Sequence, residues 1–174
     1  MSTDDPFRLR AQKALSDALA TITPANGYTF DFSKAVFRGR LGFGENDPLP
    51  MLSIMEPPLP LDRKSAPLSA SSSGGDWDLV VQGFVQDDRE NPTDPAHLAM
   101  AEVKKRLAQE ARRKLDLPAR GPNVLGLGSG RNRVEELRIG AGVVRPPEAA
   151  VSSKAYFWLT ITLKIVEDNS DPFA

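Results

Sequence analysis

Cysteine is absent from the 174 residues, so no disulfide framework, thiolate metal site or cysteine nucleophile is open to this chain. Histidine occurs once, at His97, which excludes a His-rich metal site. Neither sign of charge dominates. The 22 basic and 23 acidic residues leave a formal net charge of -1, so no global basic field is available to hold nucleic acid. No apolar run approaches the length that crosses a bilayer. The first ten residues, MSTDDPFRLR, lack the apolar core of a signal peptide, and the expected setting is a cytoplasm.

What is present is patterning for a single domain. In residues 155–166, AYFWLTITLKIV, side chains alternate: Ala155, Phe157, Leu159, Ile161, Leu163 and Ile165 fall on one face. Tyr156, Trp158, Thr160, Thr162 and Lys164 fall on the other. β-branched and aromatic residues dominate, with no Gly or Pro, so the segment is expected well inside a sheet. Its mixed face suits contact with another protein, or else is a solvated strand face with scattered aromatics.

Asp4 and Asp5 before Pro6 suit a helix start, and Phe7, Ala11, Ala14, Leu15, Ala18 and Ile22 follow at helical spacing. A first amphipathic helix is expected over 6–22, ended by Thr23 to Gly27. Residues 28–37 read as a strand with Tyr28, Phe30 and Phe32 on one face, and residues 51–55 as a short buried strand. Residues 57–75 are Pro-rich, then Ser/Gly-rich, and read as a long loop with a flexible second half. Residues 77–85 form a strand with Trp77, Leu79, Val81 and Val85 on one face. Asp94-Pro95 opens a second helix with the stripe Ala96, Met100, Val103, Leu107 and Ala111. Residues 117–132 read as a second long loop and 134–144 as a strand with Leu137, Ile139, Ala141 and Val143 in alternation. A short connection then returns the chain antiparallel into 155–166, and the acidic tail 167–174 is expected to fray. The order helix, three strands, helix, two strands predicts an α+β domain. It has one antiparallel or mixed sheet of about five strands, with both helices on one face.

Candidate chemistry is sparse. His97, in the first turn of the second helix, reads as a solvated or capping residue rather than a catalytic base. The Ser69 to Ser73 hydroxyls sit in linker sequence without a base nearby. Gly126-Leu127-Gly128-Ser129-Gly130-Arg131 has the glycines of a phosphate cradle, but a strand follows where a helix N-terminus is required. Asp87, Asp88 and Glu90, and likewise Glu135 and Glu136, lack the ligand spacing of a calcium loop and read as surface charge. Lys104, Lys105, Arg106, Arg112, Arg113 and Lys114 crowd the second helix, with Arg131, Arg133 and Arg138 near in sequence. Glu102, Glu110 and Asp116 interrupt them, so a solvated face or a charged subunit contact is preferred to specific nucleic-acid binding.

The order of elements resembles the tail terminator (tail completion) proteins of long-tailed bacteriophages. The resemblance lies in the helix over 6–22 and the proline-introduced strand Pro50-Met51-Leu52-Ser53-Ile54. It continues in Trp77-Asp78-Leu79-Val80-Val81, the helix after Asp94, and the closing hairpin ending in Tyr156-Phe157-Trp158-Leu159-Thr160-Ile161-Thr162. It implies a structural virion protein without enzyme activity or cofactor. Such a protein is a hexameric ring that caps the tail tube, ends its polymerisation and offers the head-joining surface. The implied partners are further copies of the chain, the tail tube protein and the head–tail connector protein. DNA passes through such a ring without specific recognition, no membrane is involved, and the location is the virion tail after assembly in the host cytoplasm. The contact residues expected under this reading are Tyr156, Trp158, Lys104, Lys105, Arg106, Arg112 and Arg113, with the two long loops. The alternatives are another ring of the head–tail connector, or a small ligand-binding or nucleic-acid-binding α+β domain.

Overall fold

The computed structural model describes residues 5–58, 66–67, 71–116, 118, 120–149 and 152–174. In chain order the elements are α1 (Phe7–Ala20), β1 (Val36–Arg38), β2 (Met51–Met55), the two-residue β3 (Ala66–Pro67), β4 (Ser72–Val85), α2 (Asp94–Ala111), β5 (Arg133–Arg145) and β6 (Ala155–Asp168). The sheet runs β1-β2-β4-β6-β5, with β3 added on β4, and it is mixed: β1 and β2 are parallel, the other pairs antiparallel. The α+β architecture is the one the hydrophobic patterning predicts.

β6 lies between the two other long strands, paired with β4 from Ala155↔Val85 to Asp168↔Ser72 and with β5 on its far side. Its odd-numbered side chains Phe157, Leu159, Ile161 and Leu163 are fully buried and join Leu52, Ile54, Leu79 and Val81 in one core. Both helices close that face: α1 contributes Phe7, Ala11, Leu15 and Leu19, and α2 contributes Ala96, Ala99, Val103 and Leu107. Small residues on both helices let them approach the sheet closely, and the burial of so many branched side chains supplies the main drive to fold. Arg106 ties the helices together. Its Nε donates to the Ala18 carbonyl at 3.1 Å and to Thr21 Oγ1 at 2.7 Å, and its Nη2 donates to Glu110 Oε1 at 2.6 Å. No helix among the described residues is long and apolar enough to cross a membrane.

Four expectations are corrected. Residues 28–35 do not form a strand; only Val36–Arg38 pairs. Tyr28 and Phe32 are buried as expected, but the Glu102 carboxylate accepts the Thr29 and Phe30 N–H groups at 2.6 and 3.2 Å, and the Phe32 N–H goes to the Ile22 carbonyl. The backbone is thus satisfied without a ladder. Second, the Ser/Gly half of the expected 57–75 loop is the start of β4, since Ser72 to Gly75 pair with Asp168 to Ile165. The middle of that loop (59–65 and 68–70, Ser69 included) lies outside the described residues, as do Asp4, Leu117 and Val151. Third, β5 does not alternate throughout. Register shifts between Val134 and Glu136 and between Ile139 and Gly142 each insert a residue, and the second turns Ala141 and Val143 outward. Fourth, the tail is pinned rather than frayed. Glu167 and Asp168 belong to β6, the Phe7 N–H donates to the Pro172 carbonyl at 2.8 Å, and Asn132 Nδ2 donates to the Asp171 and Ala174 carbonyls.

Candidate interaction surface

The helices cover one face of the sheet, and the even-numbered side chains of β6 define the other. Cross-strand pairing arranges this outer face in rows. Met51, Phe84, Tyr156 and Arg145 form the first and Ser53, Gln82, Trp158 and Val143 the second. Asp78, Thr162 and Arg138, then Asp76, Lys164 and Glu136, form the charged rows beyond.

The first row is not open. Residues 39–49 fold over it, so that Phe37, Phe43 and Leu49 pack on Met51, Phe84 and Tyr156 in a second small core. The Phe43 and Phe84 rings lie 5.7 Å apart, the Arg40 guanidinium sits 3.6 Å from the Phe37 ring centroid, and Arg40 pairs with Asp47. Tyr156, expected as a contact residue, is therefore only 1% exposed, and its hydroxyl donates to Glu148 Oε1 at 3.1 Å. Burial pushes the Tyr156 hydroxyl above its ordinary pKa, and the Glu148 carboxylate adds to the shift. What Tyr156 does is support Trp158, whose ring meets it edge-on at 5.3 Å.

Trp158 is 38% exposed and its neighbour Val143 is 52% exposed, forming an apolar step on the uncovered half of the face. Under the step, Gln82 is 2% exposed and its Oε1 has no hydrogen-bond partner among the described residues. Past the step the surface turns ionic. Arg138 pairs with Asp76 and, at 3.6 Å, with Glu136; Lys164 meets Glu135 at 3.3 Å; Thr162 Oγ1 donates to Asp78 at 2.6 Å. The uncovered half of the face thus sets an apolar step beside a band of paired charges in which carboxylates outnumber cations.

The expected basic contacts on α2 do not converge. Arg106 is withdrawn into the helix–helix clamp, which removes it from any partner surface. The Lys105 ammonium lies 4.8 Å from the Tyr28 ring centroid, Lys104 is half-buried, and Arg113 faces Glu110 at 3.6 Å. Arg112 and Arg113 remain exposed at the helix end. His97 is exposed on the first turn of α2. The glycine-rich 126–131 segment is a packed loop: a Cβ on Gly128 would fall 1.9 Å from the Pro122 carbonyl oxygen, and β5 follows it. Among the described residues no group of three or more His, Asp and Glu is placed to hold a metal.

Sequence reasoning missed Val143 and the cover over Tyr156. The Gly140-Ala141-Gly142 run is the signal for the bulge that turns Val143 out; Phe43, an aromatic in a glycine-rich turn, is the signal for the cover. Fold and surface together define an α+β domain with one helix-covered sheet face and one face half open. No protein-family model and no curated protein matches the chain.

Proposed function

We propose that the protein is a structural, self-assembling subunit of the tail terminator kind, acting as a ring that caps a phage tail tube, stops its growth and presents a surface to the head. Support comes first from the resemblance in element order. The observation that carries the reading is the step made by Trp158 and Val143 on the uncovered half of the sheet. Aromatic anchors set in a polar surround are the residues through which protein contacts gain most of their energy. Under this reading the face engages the tube, the chain works without a cofactor or a reaction, and its place is the virion tail after assembly in the host cytoplasm. The nucleic-acid alternative is weakened because Arg106, in the middle of the basic set, is committed to Thr21 and Glu110.

Light scattering over a concentration series, followed by negative-stain microscopy alone and with isolated tail tubes, tests it. Closed rings of uniform size, free or seated on tube ends, are expected. A protein that stays monomeric and neither binds nor blunts tubes overturns the reading.

A further inference from the structure

Between the start of α2 and the segment after α1 lies a groove of about 420 Å³, lined by Phe30, Pro95, Leu98, Asp88, Glu90 and Asp94. Leu98 is 46% exposed, an apolar side chain on the solvent side of a helix that otherwise buries its leucine. The Asp88 carboxylate accepts the Glu90 and Asn91 N–H groups and so holds the loop in place. Glu90 and Asp94 are exposed and make no ion pair among the described residues.

The other end of α2 has the opposite character. Arg112 and Lys114 are exposed and likewise have no ion-pair partner among the described residues; Asp116, close by in sequence, lowers the positive excess without cancelling it. The helix is 18 residues long, which separates the two ends by about 27 Å at 1.5 Å per residue. The helix dipole accounts for the sign of charge at each end. It gives no reason for an open groove that an exposed leucine lines together with the carboxylates.

We propose that this groove receives the Arg112–Lys114 end of α2 from a second copy of the chain. The long aliphatic stems of Arg112 and Lys114 lie over Phe30 and Leu98, while their charged heads reach Glu90 and Asp94. A contact between two different surfaces at opposite ends of one helix is head-to-tail. Repeated, it closes into a ring when the rotation between neighbours closes, whereas a two-fold dimer would use one surface twice. The inference rests on the self-assembly reading above and names its subunit contact. It leaves the outer sheet face free for the tube.

Charge exchange in the full-length protein tests it. One variant carries Glu90→Lys with Asp94→Asn, the other Arg112→Glu with Lys114→Glu; none of these residues lies on the outer sheet face. Each variant alone is expected to melt near wild type and to assemble about tenfold more weakly or worse, since like charges then face each other. An equimolar mixture is expected to recover assembly, because each reversed surface then meets an opposite one. Wild-type assembly is expected to weaken as salt is raised from about 50 mM to 0.5 M. If a reversal impairs folding, Arg112→Gln with Lys114→Gln replaces it, with a smaller loss expected. Variants that assemble as wild type, or a mixture that recovers nothing, overturn the contact and leave the ring standing. Wild type that stops at a dimer overturns the head-to-tail geometry. Wild type that stays monomeric and ignores tubes overturns contact and ring together.

Discussion

Glu102 brings a carboxylate into a nearly dry site and uses it on two backbone N–H groups, those of Thr29 and Phe30. Those donors have no strand to pair with, so the side chain stands in for a ladder. Glu102→Ala leaves them unsatisfied, and a loss of about 2–3 kcal/mol is expected in urea unfolding. Glu102→Gln, which keeps one acceptor oxygen, is expected to lose less. Other carboxylates serve local turns at the surface. The Ser170 hydroxyl and N–H hold Asp168 below the usual carboxylate range, the Asn91 and Glu90 N–H groups do so for Asp88, and Ser33 does so for Asp31. A folded pKa below the unfolded one contributes stability that is complete above the unfolded value and lost as pH falls through the folded value. Urea midpoints are thus expected to be flat from neutral pH to about pH 5 and to decline below about pH 4. A decline that began at neutral pH would contradict this assignment.

At the scale of the element, β4 and β6 meet through an exchange of volume. Gly83 lies opposite Phe157, and a Cβ on Gly83 would fall 2.2 Å from the Phe157 ring and 3.0 Å from Leu52. The large ring fits the core because its partner has no side chain. Gly83→Ala is expected to cost about 1–3 kcal/mol through overpacking, measured by chemical denaturation, although it raises the strand propensity of β4. What was legible in the sequence follows the same logic. β6 and the two helices each bury one regular stripe, so period alone identifies them. Ser72 to Gly75 have poor strand propensity and pair only because Ile165, Val166, Glu167 and Asp168 lie alongside, a tertiary cause invisible in local sequence. The strand expected at 28–35 failed for the converse reason. Its acceptor, Glu102, comes from a helix distant in sequence. The candidate surface was half legible. Trp158 faces outward as alternation requires, Tyr156 was hidden by residues 39–49, and Val143 emerged through the bulge between Ile139 and Gly142 that shifts the phase of β5.

Across the whole molecule, the division of labour between the two sheet faces predicts that assembly and folding can be separated. Val143→Glu with Trp158→Ala alters exposed side chains over a sheet whose opposite face holds the main core. The double variant is expected to keep its melting temperature within a few degrees, because the lost Tyr156–Trp158 ring contact contributes only about 0.5–1.5 kcal/mol. Under the proposed ring function it is expected to lose most of the capping of tail tubes, scored by microscopy of tube lengths. Unchanged capping would remove the outer face from the assembly. The central position of β6 has a further consequence, one of timing during synthesis. The backbone ladder joins β4 and β5 only through β6, which the ribosome makes after both. Until Ala155–Asp168 emerges, β4 has an unfilled edge along its whole length and the core face of the sheet has no middle. The nascent chain must therefore carry this exposed strand from the completion of β4 at Val85 until β6 arrives. A trigger for aggregation is present for as long as that strand waits, and the last long pairing to form is the one that commits the molecule to its fold.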